Sequence, residues 1–316
     1  MLAALGLLAA AGAWAQDGYP NRAIVMVVGF APGGGTDTAA RIIAKRLTEQ
    51  MGQSVVVENK AGAGGNIATD YVAKAPPDGY TILLASVGSL TVAPHIVSNL
   101  PYDPRRDLAP ITMAVVFGNV LVVHPSVPAN TLAEFVKLAR DNPGTVTYGS
   151  SGIGGAGHLA GELLRAMAKI DIVHVPYRGG GPAVRGLLGG EIMAVFATPA
   201  SAGGQIKAGR VRALATTSAQ RSSYVPDVPT VAESGYPGYD ATNWYAYVAP
   251  VRTPRPILDR LHAELVKTLN AADIREQLHH HGLEAQPSSS EELARHIDRE
   301  YATWGRVVKE AGIRVN

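Results

Sequence analysis

Three glycine-rich loops contain the residues best placed to bind something. They are Phe30-Ala31-Pro32-Gly33-Gly34-Gly35-Thr36-Asp37, Ser150-Ser151-Gly152-Ile153-Gly154-Gly155-Ala156-Gly157-His158, and Val175-Pro176-Tyr177-Arg178-Gly179-Gly180-Gly181-Pro182. Each follows a β-branched apolar run and precedes a segment with helical periodicity. In the first loop, Pro32 fixes a turn while the glycines permit positive φ and close backbone approach. Thr36 or Asp37 stands where it can cap the following helix. A strand, a glycine turn and a helix start leave free N–H groups at the positive end of a helix dipole, which is an anion site. Neither of the first two loops contains Lys or Arg, so an anion held there rests on backbone donors and helix ends. Arg178, the one cation in the third loop, either pairs with a second ligand carboxylate or is solvated. His158 either donates to a ligand or caps and packs.

Other chemistries fit these residues less well. Gly152, Gly154 and Gly157 satisfy the G-x-G-x-x-G dinucleotide fingerprint. That loop lies in mid-chain, however, and the next strand ends in Val175-Pro176-Tyr177 with no acidic residue to hold a ribose. Gly149-Ser150-Ser151-Gly152 is one residue short of a nucleophile elbow. His279-His280-His281 point to three sides of a helix and so share no metal-binding face. Ahead of Gly282 they suit a helix C-terminus, whose dipole favours cations. Glu291, Glu292, Asp298 and Glu300 read as a solvated helix face. No catalytic residue, cofactor or metal ligand is assigned.

Bulk composition narrows the classes. With 28 Lys and Arg against 26 Asp and Glu among 316 residues, the net charge of +2 leaves no footprint for nucleic acid. The absence of cysteine excludes disulfides, thiolate metal sites, a cysteine nucleophile and a lipid-modified cysteine. Leu2 to Ala13 are all apolar or small, too short a run to span a bilayer. Ala13-Trp14-Ala15 then fits the small-x-small cleavage rule, although no basic residue precedes the run. Residues 1–15 read as an export signal, with cleavage after Ala15 and a periplasmic destination.

The elements that must position the loops alternate between strands and helices, which argues for parallel sheets covered by helices. Strands are expected at Ala23 to Phe30, Ser54 to Glu58, Tyr80 to Ala85, Asn119 to His124, Thr145 to Tyr148, Asp171 to Pro176, Glu191 to Ala197, Val211 to Thr216 and Tyr239 to Ala249. Thr131-Leu132-Ala133-Glu134 reads as a capping box. Leu293, Ile297, Tyr301, Trp304 and Val308 form one buried stripe of a C-terminal helix.

These segments, in this order, resemble the substrate-binding proteins of tripartite tricarboxylate transporters, the Bug family. The resemblance runs from about Tyr19 to the C-terminus. It is strongest at Phe30-Ala31-Pro32-Gly33-Gly34 through Asp37, Val57-Glu58-Asn59-Lys60 with Gly62-Ala63-Gly64-Gly65, Ser150-Ser151-Gly152 with His158-Leu159, Val175-Pro176-Tyr177, Arg212-Ala213-Leu214-Ala215 and Val228-Pro229-Thr230-Val231-Ala232-Glu233. It implies an α/β fold, the two-lobed type II-like clamshell of periplasmic binding proteins, with each lobe a sheet flanked by helices. The chain would cross between lobes twice, with residues 16–119 and 246–316 forming one domain and 120–245 the other. It further implies a non-enzymatic monomer that captures a small carboxylate, such as a di- or tricarboxylate, acidic amino acid or aromatic acid. That ligand would pass to membrane subunits of the transporter. A binding component of a sensing system is the alternative, and a nucleotide-dependent enzyme a more distant one. Carried over, the ligand contacts are Phe30, Ala31, Gly33, Gly34, Gly35, Thr36 and Asp37 in the first loop. In the second they are Ser150, Ser151, Gly152, Gly154, Gly155, Ala156 and His158. Ser86, Ser89, Tyr177, Gly179, Gly180 and Thr198 line the cleft, and Phe196-Ala197-Thr198-Pro199-Ala200 stands where relatives often place a polar or acidic residue after the strand. A wall of Ala197 and Thr198 suits a less polar carboxylate.

Export and processing should leave a protein that begins at Gln16. N-terminal sequencing of periplasmic material checks this, and an intact Met1 would refute it.

Overall fold

The computed structural model describes residues 18–310 and 312. The expected export signal, residues 1–15, and its expected cleavage site lie outside the described residues. Two sheets organise the chain. The first has the order β11-β4-β10-β3-β1-β2. Strands β1 (Ile24–Val28), β2 (Val55–Asn59) and β3 (Thr81–Ser86) run parallel. They are joined through helices α1 (Gly35–Met51) and α2 (Asn66–Ala73). After a π-helical turn, Gly88–Val92, and the short α3 (Ala93–Ile96), β4 (Leu108–Phe117) crosses the lobe. The second sheet has the order β7-β6-β8-β5-β9. It contains β5 (Val120–Val123), β6 (Val146–Ser150), β7 (Ile172–Pro176), β8 (Ala194–Ala197) and β9 (Arg212–Thr216). Its helices are α4 (Leu132–Asp141), α5 (Ala156–Ala168), α6 (Gly180–Leu188) and α7 (Pro199–Lys207). The chain then returns to the first sheet through β10 (Asn243–Pro250). It finishes with α8 (Arg255–Asn270), α9 (Ala272–His280), β11 (Glu284–Ala285) and α10 (Ser290–Glu310).

The fold is thus an α/β clamshell, but its sheets are mixed rather than parallel. β10 is antiparallel to both β3 and β4, and β5 is antiparallel to both β8 and β9. The reason is the double crossover. β4 and β5 are nearly continuous, so the chain enters the second sheet without the helical connection that a parallel neighbour requires. β4 itself was not among the expected strands, and it carries Pro110, a residue poorly suited to a central strand. Pro110 lies opposite Val248, next to a shift in register between Tyr247 and Val248, where an irregular ladder tolerates a residue without an N–H. All eight residues of β10 are buried, as suits a strand paired on both edges and covered on both faces.

Two local expectations are refined. At α4 the Glu134 N–H donates to Thr131 Oγ1 at 3.2 Å, but the Glu134 carboxylate takes the N–H of Asn130, one residue earlier than expected. In α10, Leu293, Ile297, Trp304 and Val308 are buried while Tyr301 is half-buried. Glu300 is not simply solvated: its Oε2 accepts from the indole N–H groups of Trp244 at 3.3 Å and Trp304 at 3.1 Å.

The lobes meet along glycine backbone. The Ala31 N–H donates across the seam to the Arg178 carbonyl at 2.9 Å. A Cβ on Gly179 would stand 3.0 Å from the Ala31 nitrogen. At the other end, a Cβ on Gly64 would run into the Ile153 carbonyl, and one on Gly88 into the Gly154 carbonyl, 3.2 Å from the Gly155 Cα. The three atoms nearest a Cβ at Gly88 all belong to the opposite lobe. Gly88→Val should therefore wedge the lobes apart while leaving each lobe folded. Small-angle scattering should give a larger radius of gyration for the variant than for the parent, at a melting temperature within a few degrees. An unchanged radius would show that the seam yields to a side chain.

Candidate ligand-binding cleft

Four helix N-termini converge on the space between the lobes. Gly34, Gly35 and Thr36 bring α1 to its wall, Ala156 and Gly157 bring α5, Gly180 brings α6, and Thr198 is the N-cap of α7. The first intrahelical bonds of these helices are made by the N–H groups of Thr38, Leu159, Ala183 and Ser201. Those of Gly35, Thr36, Ala156, Gly157 and Gly180 come before them and have no carbonyl within their own helix. No side chain caps any of the four N-termini, whereas α4 is capped by Thr131. Ser86, Ser151, Asn119 and Asn243 supply the polar side chains of the wall, and Phe30, Val195, Phe196 and Tyr245 its apolar part. Among the described residues, no Lys, Arg, Asp, Glu or His lines it. The enclosed space is about 20 Å³, room for little more than one water molecule. A ligand can enter only if the lobes part.

Of the residues singled out in the sequence, Phe30, Gly34, Gly35, Thr36, Ser86, Ser151, Ala156, Gly180 and Thr198 stand on this wall. The others hold the loops in shape. Ala31 and Gly179 lie on the seam. The Gly33 N–H donates to Asp37 Oδ2 at 3.0 Å. Ser89 is buried beneath the cleft, where its carbonyl accepts from Tyr102 at 2.8 Å. Ser150 Oγ faces His174 Nε2 at 2.7 Å and accepts from the Gly152 N–H at 3.1 Å. The Gly155 N–H closes the same loop onto the Gly152 carbonyl at 3.1 Å. His158 caps and packs: its Nδ1 accepts from the Gly154 N–H at 3.1 Å, and its ring stacks on His174 at 4.2 Å. Burial lowers the affinity of both imidazoles for a proton, and the neighbouring His158 helps push His174 down to about 3. Tyr177 turns away from the cleft to donate to Glu191 at 3.0 Å. Burial and that carboxylate push its hydroxyl up to about 12. Arg178 is exposed and contributes its carbonyl to the seam.

Sequence reasoning did not assign Asn119, Gly157, Val195, Phe196, Asn243 or Tyr245 as cleft residues. Asn119 and Tyr245 had been noticed only as crossover points. Asn243 and Tyr245 reach the wall through the pairing of β10 with β3 and β4, which no local motif announces.

Asp37 organises the first loop. Its carboxylate accepts from the Gly33 N–H and, through Oδ1, from Arg41 at 3.0 Å and Asn59 at 3.0 Å; Asn59 also donates to the Phe30 carbonyl at 2.9 Å. Burial raises the Asp37 carboxyl, but the hydrogen bonds from Arg41, Gly33 and Asn59 and the Arg41 charge outweigh it, leaving the group below its ordinary value.

Two α/β lobes joined by two crossovers and closing on a cleft walled by backbone donors define a solute-binding protein. The sequence signature of the tripartite tricarboxylate transporter family receptor, TctC, matches residues 39–313, and the chain belongs to that family. Protein BugT of Bordetella pertussis is 37% identical over 320 residues, covering 100% of this chain and 98% of its own. An R. palustris protein solved with adipate is 37% identical with a TM-score of 0.90, over 94% of this chain and 99% of that one. MatC from Rhodopseudomonas palustris, solved with bound malate, is 31% identical with a TM-score of 0.88, over 92% and 100%.

The lowered Asp37 value links the first loop to acid stability. Folding favours the ionised form, so its contribution is complete above the ordinary carboxylate value of about 3.9. It is lost as pH falls through the lower folded value. Asp37→Ala should be less stable than the parent by about 1–3 kcal/mol at pH 7, with a smaller deficit at an acid pH well below the ordinary carboxylate value. Urea denaturation at the two pH values measures this, and a deficit independent of pH would contradict it.

Proposed function

We propose that this protein is exported to the periplasm, closes on a small carboxylate, and presents it to the membrane subunits of a tripartite tricarboxylate transporter. The observation that carries this reading is the convergence of four uncapped helix N-termini on a cleft wall without a charged side chain. Unpaired backbone donors at positive dipole ends stabilise an anion, and a carboxylate offers two oxygens for several donors at once. Relatives solved with adipate and malate support the same ligand class. Closure follows from the geometry: donors from both lobes reach one ligand only in the closed form, so the ligand favours that form. The crossovers beside Asn119 and before Tyr245 are where the backbone must rotate.

Gly34→Asp tests the anion site directly. Gly34 has extended backbone angles open to any residue, and a Cβ there would meet the Gly180 nitrogen at 3.5 Å, the Ala31 oxygen at 3.8 Å and the Gly180 Cα at 4.0 Å, all ordinary van der Waals contacts. The variant should fold with its carboxylate between the N-termini of α1 and α6. Charged hydrogen bonds are worth roughly 1.5–3 kcal/mol each, so losing two should weaken carboxylate binding at least about a hundredfold. Calorimetry with adipate and malate should show that loss, while exposed Arg178→Ala changes affinity little. Near-normal affinity in a folded Gly34→Asp variant would place the anion elsewhere.

A further inference from the structure

Apart from the cleft, a second space is bounded by both lobes. It is a groove of about 390 Å³, and its large apolar lining comes from Ile67, Val97, Leu100 and Pro101 of the first lobe and from Ile153 of the second. Ile153 is the one lining residue, among the described residues, that the second lobe contributes. The polar side chains of the groove are already engaged. Asn66 Oδ1 accepts from Tyr102 at 2.9 Å, and Asp70 pairs with Lys74. What the groove offers Ile153 is therefore apolar contact.

Backbone contacts fix where Ile153 stands. A Cβ on Gly64 would run into its carbonyl, and a Cβ on Gly154 would stand 2.9 Å from Cδ1 of Ile96. Glycine against backbone buries little apolar surface, so the aliphatic side chain of Ile153 is placed to add what those contacts lack. When the lobes part, Ile153 leaves with the second lobe and the apolar surface it shares with the groove returns to water. That cost falls on the open form whatever the ligand is. Ile153 does not itself line the cleft. The fit is also incomplete, since Ile153 and Ile67 remain 37% and 53% exposed.

We infer that Ile153 and this groove form an apolar latch that favours the closed form without touching the ligand, so that Ile153 sets the affinity for every ligand by one common factor. The inference rests on the reading above, that the protein closes on a carboxylate. When only a fraction of the free protein is closed, apparent affinity scales with that fraction, and a change in it multiplies every dissociation constant alike. A residue in contact with the ligand would instead change the constants unequally.

Calorimetry with adipate and malate tests this. Ile153→Asp, which puts a charge into the groove, should weaken both acids by a common factor on the order of tenfold. Ile153→Trp, which extends into the unfilled part, should tighten both by about threefold or more. A misfolded loop cannot produce that gain. Leu100→Ala, on the facing wall, should weaken both acids as Ile153→Ala does. The double variant should be little weaker than either single one, because each removes the same contact. Four results would each overturn the latch and leave the carboxylate reading standing: unchanged affinity in Ile153→Asp, no gain in Ile153→Trp, factors that differ more than about threefold between the two acids, or losses at Ile153 and Leu100 that simply add. Failure of the parent to bind either acid overturns both.

Discussion

A helix cannot satisfy its first backbone donors from within itself, and here four helices bring theirs to one enclosed space. That requirement explains much of what surrounds it. Polar caps would have satisfied the donors, and their absence leaves the N-termini open to an outside acceptor. Bringing four N-termini together also demands close approach of backbone to backbone. Glycine is therefore found both on the wall, at Gly34, Gly35 and Gly180, and on the seam, at Gly64, Gly88 and Gly179.

Donors aimed at a common point are useful only if the loops that present them are held in place. In the first lobe this falls to Asp37, which gathers Gly33, Arg41 and Asn59 and so fixes the turn after β1. In the second lobe, a line of neutral groups has the same effect. His174 meets Ser150, Ser150 meets Gly152, and His158 meets Gly154. One loop is braced by a charge directed away from the ligand, the other by buried imidazoles that stay uncharged at neutral pH. Neither brace puts a competing charge on the wall.

The glycine loops were legible because their signal is local: strand, turn and helix start follow one another in the chain, and four of the wall positions are residues of the first loop. The division into two sheets was legible as a resemblance, from many short segments in fixed order. Other features were not. β4 carries Pro110, whose tolerance depends on an irregular ladder with β10 that lies more than a hundred residues away in the chain. The antiparallel strands were missed for a related reason, because strand direction follows from the crossovers rather than from hydrophobic pattern. Asn119 and Asn243 read as residues of two expected strands far apart in the chain, and no local signal placed them on one wall. His158 and Tyr177 sit in loops that form the cleft, yet their side chains turn inward and outward from it. Residue type and spacing gave no hint of that.

A wall without charged side chains also sets how a ligand arrives. Point charges reach outward over a Debye length of about 8 Å at physiological ionic strength, whereas the effect of a helix dipole fades within about one turn. The cleft therefore does little to draw an anion in from bulk solution. Capture begins with unguided encounters, whose rate is governed by diffusion and by how often the lobes stand open, and added salt should barely change it. Recognition is deferred to the last few ångströms. The protein thus gives up speed of attraction for an on-rate indifferent to the ionic composition around it.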